Sequence, residues 1–184
     1  MKTVIISASV RTGRKSHRLA LYFCKYLMEN NLSAAEILDL NEYNFPVFNE
    51  RLQYLPDPAP RVREFAEKIK SADAVLIVTP EYNGGYPASL KNVIDLLYPE
   101  WKRKPIAIAT TSDGPFGGTQ VITSLLFTLW KIGAWVVPAK FPVPKVHEHY
   151  DEQGNPADRA AADKRTKPFI EEMIWCATAI NKMN

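Results

Sequence analysis

The chain has 184 residues, with 23 basic and 20 acidic side chains and a formal net charge of +3. Apolar residues make up 46% of it and charged residues 23%, which is typical of a folded globular protein and excludes a disordered or fibrous chain. The length fits a single domain, residues 1–184. Because the positive charge is spread along the chain rather than concentrated in a stripe, we expect no nucleic-acid partner.

The sequence also argues against a membrane partner. The longest purely apolar run, residues 74–78, is far shorter than the roughly 20 residues of a spanning helix. Residues 1–9 are similar to a signal peptide, but basic residues follow at once where a cleavage region is small and neutral, so we interpret them as a first strand. The two cysteines, Cys24 and Cys176, have no metal-binding spacing, and we expect reduced thiols in a cytoplasmic protein.

The predicted elements alternate between strand and helix. Continuous apolar or β-branched runs predict strands, and apolar residues three to four positions apart predict helices. The predicted strands are 3–7, 35–40, 74–79, 106–111 and 134–137. The predicted helices are 16–29 with Ser16 as its N-cap, 61–70, 87–97, 118–131, and 157–181 with Pro168 as a candidate break. Two proline-rich segments remain, 46–60, which cannot be regular throughout, and 138–155, which we predict to be a long loop.

This alternation predicts an α/β fold. Strands separated by helices of about 10–15 residues form right-handed βαβ units around a parallel sheet. Five strands fit the flavodoxin-like three-layer sandwich, order 2-1-3-4-5, better than the six-stranded dinucleotide-binding fold. Because ligands bind at the carboxyl ends of such strands, the loops after strands 1, 3 and 4 are the candidate sites.

The loop after strand 1 has the composition of a phosphate cradle. Residues 7–18 carry hydroxyls at Ser7, Ser9, Thr12 and Ser16, several cations, and the start of a helix. Backbone N–H groups and the positive end of a helix bind a dianion, and hydroxyls complete its shell. The segment matches neither GxxxxGK[ST] nor GxGxxG. The alternative is a basic surface loop with an ordinary serine cap.

The other two loops are rich in glycine. In the loop after strand 3, residues 79–92, an Asn-Gly-Gly turn at 83–85 is flanked by tyrosines, which suits a planar heteroaromatic ligand. The alternative is a turn whose tyrosines cover the sheet end. In the loop after strand 4, residues 111–119, three glycines would let the backbone approach a ligand. The alternative there is a flexible connection.

Together these loops resemble the NADPH-dependent FMN reductases of the flavodoxin-like superfamily, which include bacterial azoreductases, quinone reductases and chromate reductases. The resemblance covers nearly the whole chain. The motifs that carry it are Pro80-Glu81-Tyr82-Asn83-Gly84 with Pro87 and Leu90-Lys91-Asn92, Ser9-Val10-Arg11 with Ser16, and Thr111-Ser112 with Gly114, Gly117 and Gly118.

The resemblance implies bound FMN, with NADPH or NADH as co-substrate. By analogy, the phosphate is held by Ser9, Arg11 and Ser16, with His17 and Arg18 as further contacts. The isoalloxazine ring is lined by Pro80, Glu81, Tyr82, Asn83 and Gly84, and approached from the other side by Ser112, Gly117 and Gly118.

Three departures from the family pattern concern the loops. Ala8 and Ala88 stand where many members have glycine. The gap between Arg11 and Ser16 is longer than in many members, because residues 13–15 are inserted.

The expected activity is hydride transfer from NAD(P)H to the flavin and then to a small acceptor, such as a quinone, an azo compound, free flavin or a metal ion, in ping-pong order. Because the flavin carries the chemistry, we expect no catalytic acid or base and no metal site. A metal at His147 and His149 is a weaker alternative to a solvated loop. An electron carrier of the flavodoxin type or a non-enzymatic FMN sensor remain alternatives, although the basic phosphate loop favours a reductase that binds an anionic nucleotide.

The resemblance further implies a homodimer or homotetramer. Aromatic segments after Asn41 and around Tyr86, Tyr98 and Trp101 are candidates for covering the subunit contact. Isolated exposed aromatics are the alternative explanation.

Overall fold

A computed structural model describes residues 1–183. Its five strands are all parallel and ordered β2-β1-β3-β4-β5, which confirms the flavodoxin-like fold. The strands are β1 Lys2–Ser7, β2 Ala34–Asp39, β3 Ala74–Pro80, β4 Pro105–Thr111 and β5 Trp135–Val143. The helices are α1 Ser16–Glu29, α2 Leu40–Tyr43, α3 Pro60–Ser71, α4 Ala88–Leu96, α5 Thr119–Lys131, α6 Val146–His149 and α7 Arg159–Met183.

The core consists of two apolar layers on opposite faces of the sheet. Successive residues of a strand point to opposite faces, so Val4 of β1 packs in the layer under α3, α4 and α5, whereas Ile5 packs in the layer under α1 and α7. Phe65 of α3 is buried in the first layer and Phe23 of α1 in the second. Because β1, β3 and β4 are buried on both faces, their sequences are nearly continuous apolar runs.

Strand β5 is longer than predicted. It extends to Val143, so the prediction of a loop from residue 138 was wrong for its first six positions. Its pairing with β4 shifts register between Ile106 and Ile108, where Val136 and Lys140 are the partners, and Pro138 lies within this irregularity. A proline has no N–H to donate, and an edge strand with a bulge tolerates it. The rest of the predicted loop contains the short helix α6.

Two helix predictions also need correction. Ser16 is the first residue of α1 rather than its N-cap; Lys15 holds the cap position, and no side chain caps the helix. Helix α7 runs unbroken through Pro168. Its buried face, which includes Phe169, Ile170 and Met173, packs against the sheet, and this packing outweighs the one backbone hydrogen bond that the proline removes.

The expectation that Trp101 covers a subunit contact was wrong. Trp101 follows α4 in a 3-10 turn, Pro99–Trp101, its side chain is fully buried, and its Nε1–H donates to the Ile94 carbonyl at 3.1 Å. Tyr98 is exposed and Tyr86 is partly buried. None of the helices within residues 1–183 is both long and apolar enough to cross a membrane.

Candidate functional site

A cleft of about 300 Å³ lies at the carboxyl edge of the sheet, where the three predicted loops meet. This is near the lower end of the volumes usual for small-molecule sites, roughly 300–1,000 Å³. Seven of the predicted site residues line it: Ser9, Arg11, Ser16, Pro80, Glu81, Tyr82 and Ser112. The carboxyl ends of β1, β3 and β4 are adjacent in the sheet, which is why residues about 70 and 100 positions apart line one cleft.

The β1–α1 loop presents unused hydrogen-bonding groups to this cleft. The Ser16 hydroxyl is buried, yet among residues 1–183 it has no hydrogen-bond partner. It lies at the first position of α1, whose first-turn N–H groups have no acceptor within the helix. The Arg11 side chain is exposed and has no ion-pair or hydrogen-bond partner in the described chain. A hydroxyl, free N–H groups and a guanidinium at one helix N-terminus fit a phosphate group.

Two predicted phosphate contacts make other contacts. His17 Nδ1 lies 3.0 Å from Ser7 Oγ and 3.6 Å from Asp39 Oδ2, away from the lining of the cleft. Burial lowers the pKa of His17, with the Asp39 carboxylate opposing that shift. The Arg18 guanidinium donates to the Tyr150 carbonyl at 3.1 Å and so joins α1 to the end of α6. Both remain predictions as cofactor contacts.

The β3–α4 loop reaches the cleft through its first residues. Tyr82 and Gly85 exchange two backbone hydrogen bonds, at 2.8 and 3.0 Å, which close a tight turn around Asn83 and Gly84. Pro80 is the last residue of β3, and the Glu81 N–H donates to the Thr111 carbonyl at 3.2 Å. The backbone of 80–82 is therefore fixed beside β4, where a planar ring could lie against it. Asn83 and Gly84 lie beyond the cleft lining.

The Tyr82 hydroxyl lies 2.7 Å from Ser9 Oγ. This hydrogen bond joins the predicted ring-binding loop to the predicted phosphate-binding loop. It positions the Ser9 hydroxyl at the point where both loops face the cleft.

The β4–α5 loop has its polar groups satisfied within the chain. Ser112 Oγ donates to the Gly114 carbonyl at 2.8 Å, and the Thr110 hydroxyl donates to the Gly117 carbonyl at 2.7 Å. A Cβ on Gly117 would lie 3.0 Å from the backbone of β5, and one on Gly118 only 2.8 Å from the Thr111 carbonyl oxygen. These two glycines therefore permit close packing of the chain on itself, and their contact with a cofactor stays a prediction.

Three ionisable side chains contact one another beside the cleft. Lys15 Nζ donates to Asp113 Oδ1 at 3.2 Å, and His147 Nδ1 lies 3.3 Å from the same oxygen. The hydrogen bond from Lys15 lowers the pKa of the Asp113 carboxyl. Because these side chains are partly exposed to solvent, their pairing adds little stability.

Several residues that line the cleft were not among the predicted cofactor contacts. They are Thr12, Gly13, Arg14, Lys15, Thr111, Asp113 and Val146. Asp39, the last residue of β2, pairs with Arg14 behind the β1–α1 loop. An acidic residue at the end of the strand beside a basic loop was the available signal for that pair. Within residues 1–183 no three His, Cys, Asp or Glu side chains cluster as metal ligands.

Comparisons with known proteins agree with this geometry. A family described as NADPH-dependent FMN reductase matches residues 1–148. An NAD(P)H-dependent FMN reductase of Pseudomonas aeruginosa is 34% identical over 182 residues, covering 95% of each chain. An NADPH azoreductase of a Bacillus species is 26% identical over 175 residues, covering 95% of this chain and 89% of its own.

Solved structures point the same way. The flavoenzyme FerB, an NAD(P)H:(acceptor) oxidoreductase from Paracoccus denitrificans, superimposes with a TM-score of 0.78 at 26% identity. The match covers 96% of this chain and 97% of FerB. Because the family match and a full-length relative coincide with the predicted fold and loops, the resemblance inferred from the motifs is confirmed: the chain belongs to the NADPH-dependent FMN reductase family.

Proposed function

We propose that residues 1–184 form a single FMN-binding domain of a cytoplasmic enzyme that oxidises NAD(P)H and reduces a small acceptor. The observation that carries the proposal is the buried Ser16 hydroxyl at the start of α1, which has no hydrogen-bond partner in residues 1–183. Burying a hydroxyl without a partner is unfavourable, so a ligand that accepts or donates a hydrogen bond there gains affinity. The free thiols Cys24 and Cys176 support the cytoplasmic location.

The chain's own residues would bind the phosphate of FMN at one end of the cleft. Ser9 and Ser16 would contribute hydroxyls, Arg11 its guanidinium, and α1 its first N–H groups. The fixed backbone of 80–82 would lie against the ring, and Tyr82 would connect the two ends of the site through Ser9. When bound, FMN supplies the hydride chemistry, while the protein supplies orientation and electrostatics.

The same cleft would admit the reductant and then the acceptor. Because both partners would exchange a hydride with the same bound flavin, they would react in turn, which is ping-pong exchange. Arg11 and Lys15 would favour the anionic nicotinamide nucleotide. The acceptor is a small molecule of the classes already named: a quinone, an azo compound, free flavin or a metal ion. The Bacillus azoreductase relative supports an azo compound among them.

We further propose a homodimer or homotetramer, with α5 at the subunit contact. This helix has no charged residue from Thr119 to Trp130, and Phe127 and Trp130, with rings 5.8 Å apart, are 67% and 68% exposed. An uncharged aromatic face can meet its own copy about a two-fold axis without like-charge repulsion. Sedimentation at micromolar concentration should give a mass of at least two chains of 20.8 kDa; a single chain would contradict this.

The proposed function is tested by absorbance spectroscopy of the purified protein after FMN addition and desalting, followed by anaerobic NADPH. Retained flavin bands that bleach on NADPH addition are expected. Retained bands that bleach with neither NADPH nor NADH would replace the reductase by an electron carrier or a sensor. Loss of all flavin on desalting would contradict tight FMN binding at the β1–α1 loop.

A further inference from the structure

Arg14, which also lines the cleft, lies in a part-buried polar cluster with Asp39 and Ser9. Its two terminal nitrogens donate to the two carboxylate oxygens of Asp39, and Nη1 also donates to the Ser9 carbonyl at 2.8 Å. The side chains of Arg14 and Asp39 are only 16% and 4% exposed. A bidentate guanidinium–carboxylate pair fixes both partners in distance and orientation.

Asp39 is itself held in place. It ends β2, and its Oδ1 accepts the backbone N–H of Asn41 at 3.0 Å, which caps α2. His17 of α1 packs against its other oxygen at 3.6 Å. The carboxylate is therefore a rigid anchor supplied by the neighbouring strand.

The backbone between Ser9 and Ser16 has few other restraints, although side chains tie the loop to Tyr82 through Ser9 and to Asp113 through Lys15. Its internal hydrogen bonds are the Arg14 N–H to the Arg11 carbonyl at 3.1 Å and a long one from the Arg11 N–H to Ser9 Oγ at 3.4 Å. A Cβ on Gly13 would have no neighbour within 4 Å. Ordering such a loop upon binding costs conformational entropy, and a pre-formed loop avoids that cost.

We propose that Arg14, together with Asp39, is a positioning pair that holds the β1–α1 loop in its phosphate-binding conformation. This inference rests on the proposed binding of FMN at that loop. Because Arg14 donates to Asp39 and Ser9, it holds the loop in place. Arg11 is exposed and is therefore available to the phosphate.

The test compares dissociation constants for FMN and for riboflavin, which lacks the phosphate, by quenching of flavin fluorescence. Arg14→Met and Asp39→Asn should each weaken FMN binding at least tenfold and change riboflavin binding less than twofold. The double variant should be no weaker than the worse single variant, because both substitutions break one interaction. A general loss of stability would not produce this ligand-specific difference.

Asp39→Asn decides between positioning and direct contact. Asparagine keeps the cap of α2, so the variant is expected to fold. If Arg14 contacted the phosphate directly, releasing it from Asp39 would leave FMN binding unchanged or tighter, and that result would overturn the proposal. Arg14→Lys, which keeps the charge but loses the planar fork, should restore only part of the affinity.

Arg159→Met is the matched control. Arg159 also bonds two carboxylates, Asp163 and Glu29, both at 2.7 Å, but on the exposed surface of α7. The Arg159→Met variant should bind FMN with the same dissociation constant as the wild type. If the wild type itself does not prefer FMN to riboflavin, the proposed function fails. If it does, and both cluster variants keep that preference, this inference alone fails.

Discussion

The β1–α1 and β4–α5 loops lie on the same edge of the sheet but differ in how their polar groups are used. In the β4–α5 loop the hydroxyls of Thr110 and Ser112 donate to carbonyls of the loop itself. In the β1–α1 loop the buried Ser16 hydroxyl has no partner in the described chain. The polar groups of the β4–α5 loop are thus used within the chain, whereas the β1–α1 loop has a hydroxyl that remains available to the proposed ligand.

The glycines show the same difference. A Cβ on Gly118 would lie 2.8 Å from the Thr111 carbonyl oxygen, whereas one on Gly13 would have nothing within 4 Å. Both residues have a positive φ, of 72° and 68°. Glycine is thus needed at 118 for close packing, and at 13 for backbone conformation alone.

The largest expected effect on stability is at Gly118, and Gly13 is the residue to compare it with. Gly118→Ala should lower the free energy of unfolding by about 3 kcal/mol, because strain at positive φ adds to the clash with backbone. Gly13→Ala should cost about 1 kcal/mol from the φ angle alone. Chemical denaturation of the two apo variants measures both values. Equal losses would mean that the β4–α5 loop moves freely and is not packed as described.

A somewhat smaller effect on stability is expected at Thr110, whose hydroxyl is hydrogen-bonded within the chain. Thr110→Val removes the donor to the buried Gly117 carbonyl and should cost about 1.5 kcal/mol of unfolding free energy. FMN affinity should stay within twofold of the wild type, since no ligand is expected to use this hydroxyl. Stability from denaturation and affinity from fluorescence titration test the two statements separately. A large loss of FMN affinity at unchanged stability would place Thr110 in the site.

Removing the Ser16 hydroxyl should have the opposite result, a loss of FMN affinity without a loss of stability. Ser16→Ala should weaken FMN binding about tenfold, which is about 1.4 kcal/mol, because one hydrogen bond to the phosphate is lost. The apo protein should be no less stable, since Ser16 Oγ has no partner to lose. Ser124→Ala in α5, where the hydroxyl donates to the Val121 carbonyl at 3.0 Å, is the control and should keep full affinity. Destabilisation of apo Ser16→Ala would show that the hydroxyl is used within the fold.

The smallest effect concerns pH. Burial lowers the pKa of His17 below 6.5, so below that value the unfolded chain binds more protons than the folded one. The contribution of His17 to unfolding free energy should therefore rise with pH up to about 6.5 and level off above it. His17→Gln should reduce that slope in denaturation series between pH 5 and 8, with His149→Gln as the control. An unchanged slope in the His17 variant would contradict the burial of its imidazole.

Strands β1, β3 and β4 could be predicted because burial on both faces leaves a strong apolar signal. The strand order followed from the alternation of five strands with helices. Strand β5 could not be bounded from its sequence, because Pro138 and Pro142 interrupt the pattern and only its pairing with β4 shows that it continues. Ser9, Tyr82 and Ser112 could be placed at one site because parallel strands bring the loops that follow them to the same edge of the sheet. The Arg14–Asp39 pair was not predicted: the acidic residue at the end of β2 was a signal, but which cation of the loop meets it depends on how the loop folds over the end of β2.

The central claim is that the β1–α1 loop binds the phosphate of FMN, and the most direct measurement is the ratio of dissociation constants for riboflavin and FMN on the wild-type protein. A dianion held by one guanidinium, hydroxyls and a helix N-terminus should make FMN at least about 100-fold tighter, since charged hydrogen bonds contribute about 1.5–3 kcal/mol each. That preference should fall as salt concentration rises. Equal dissociation constants for the two flavins would contradict the account.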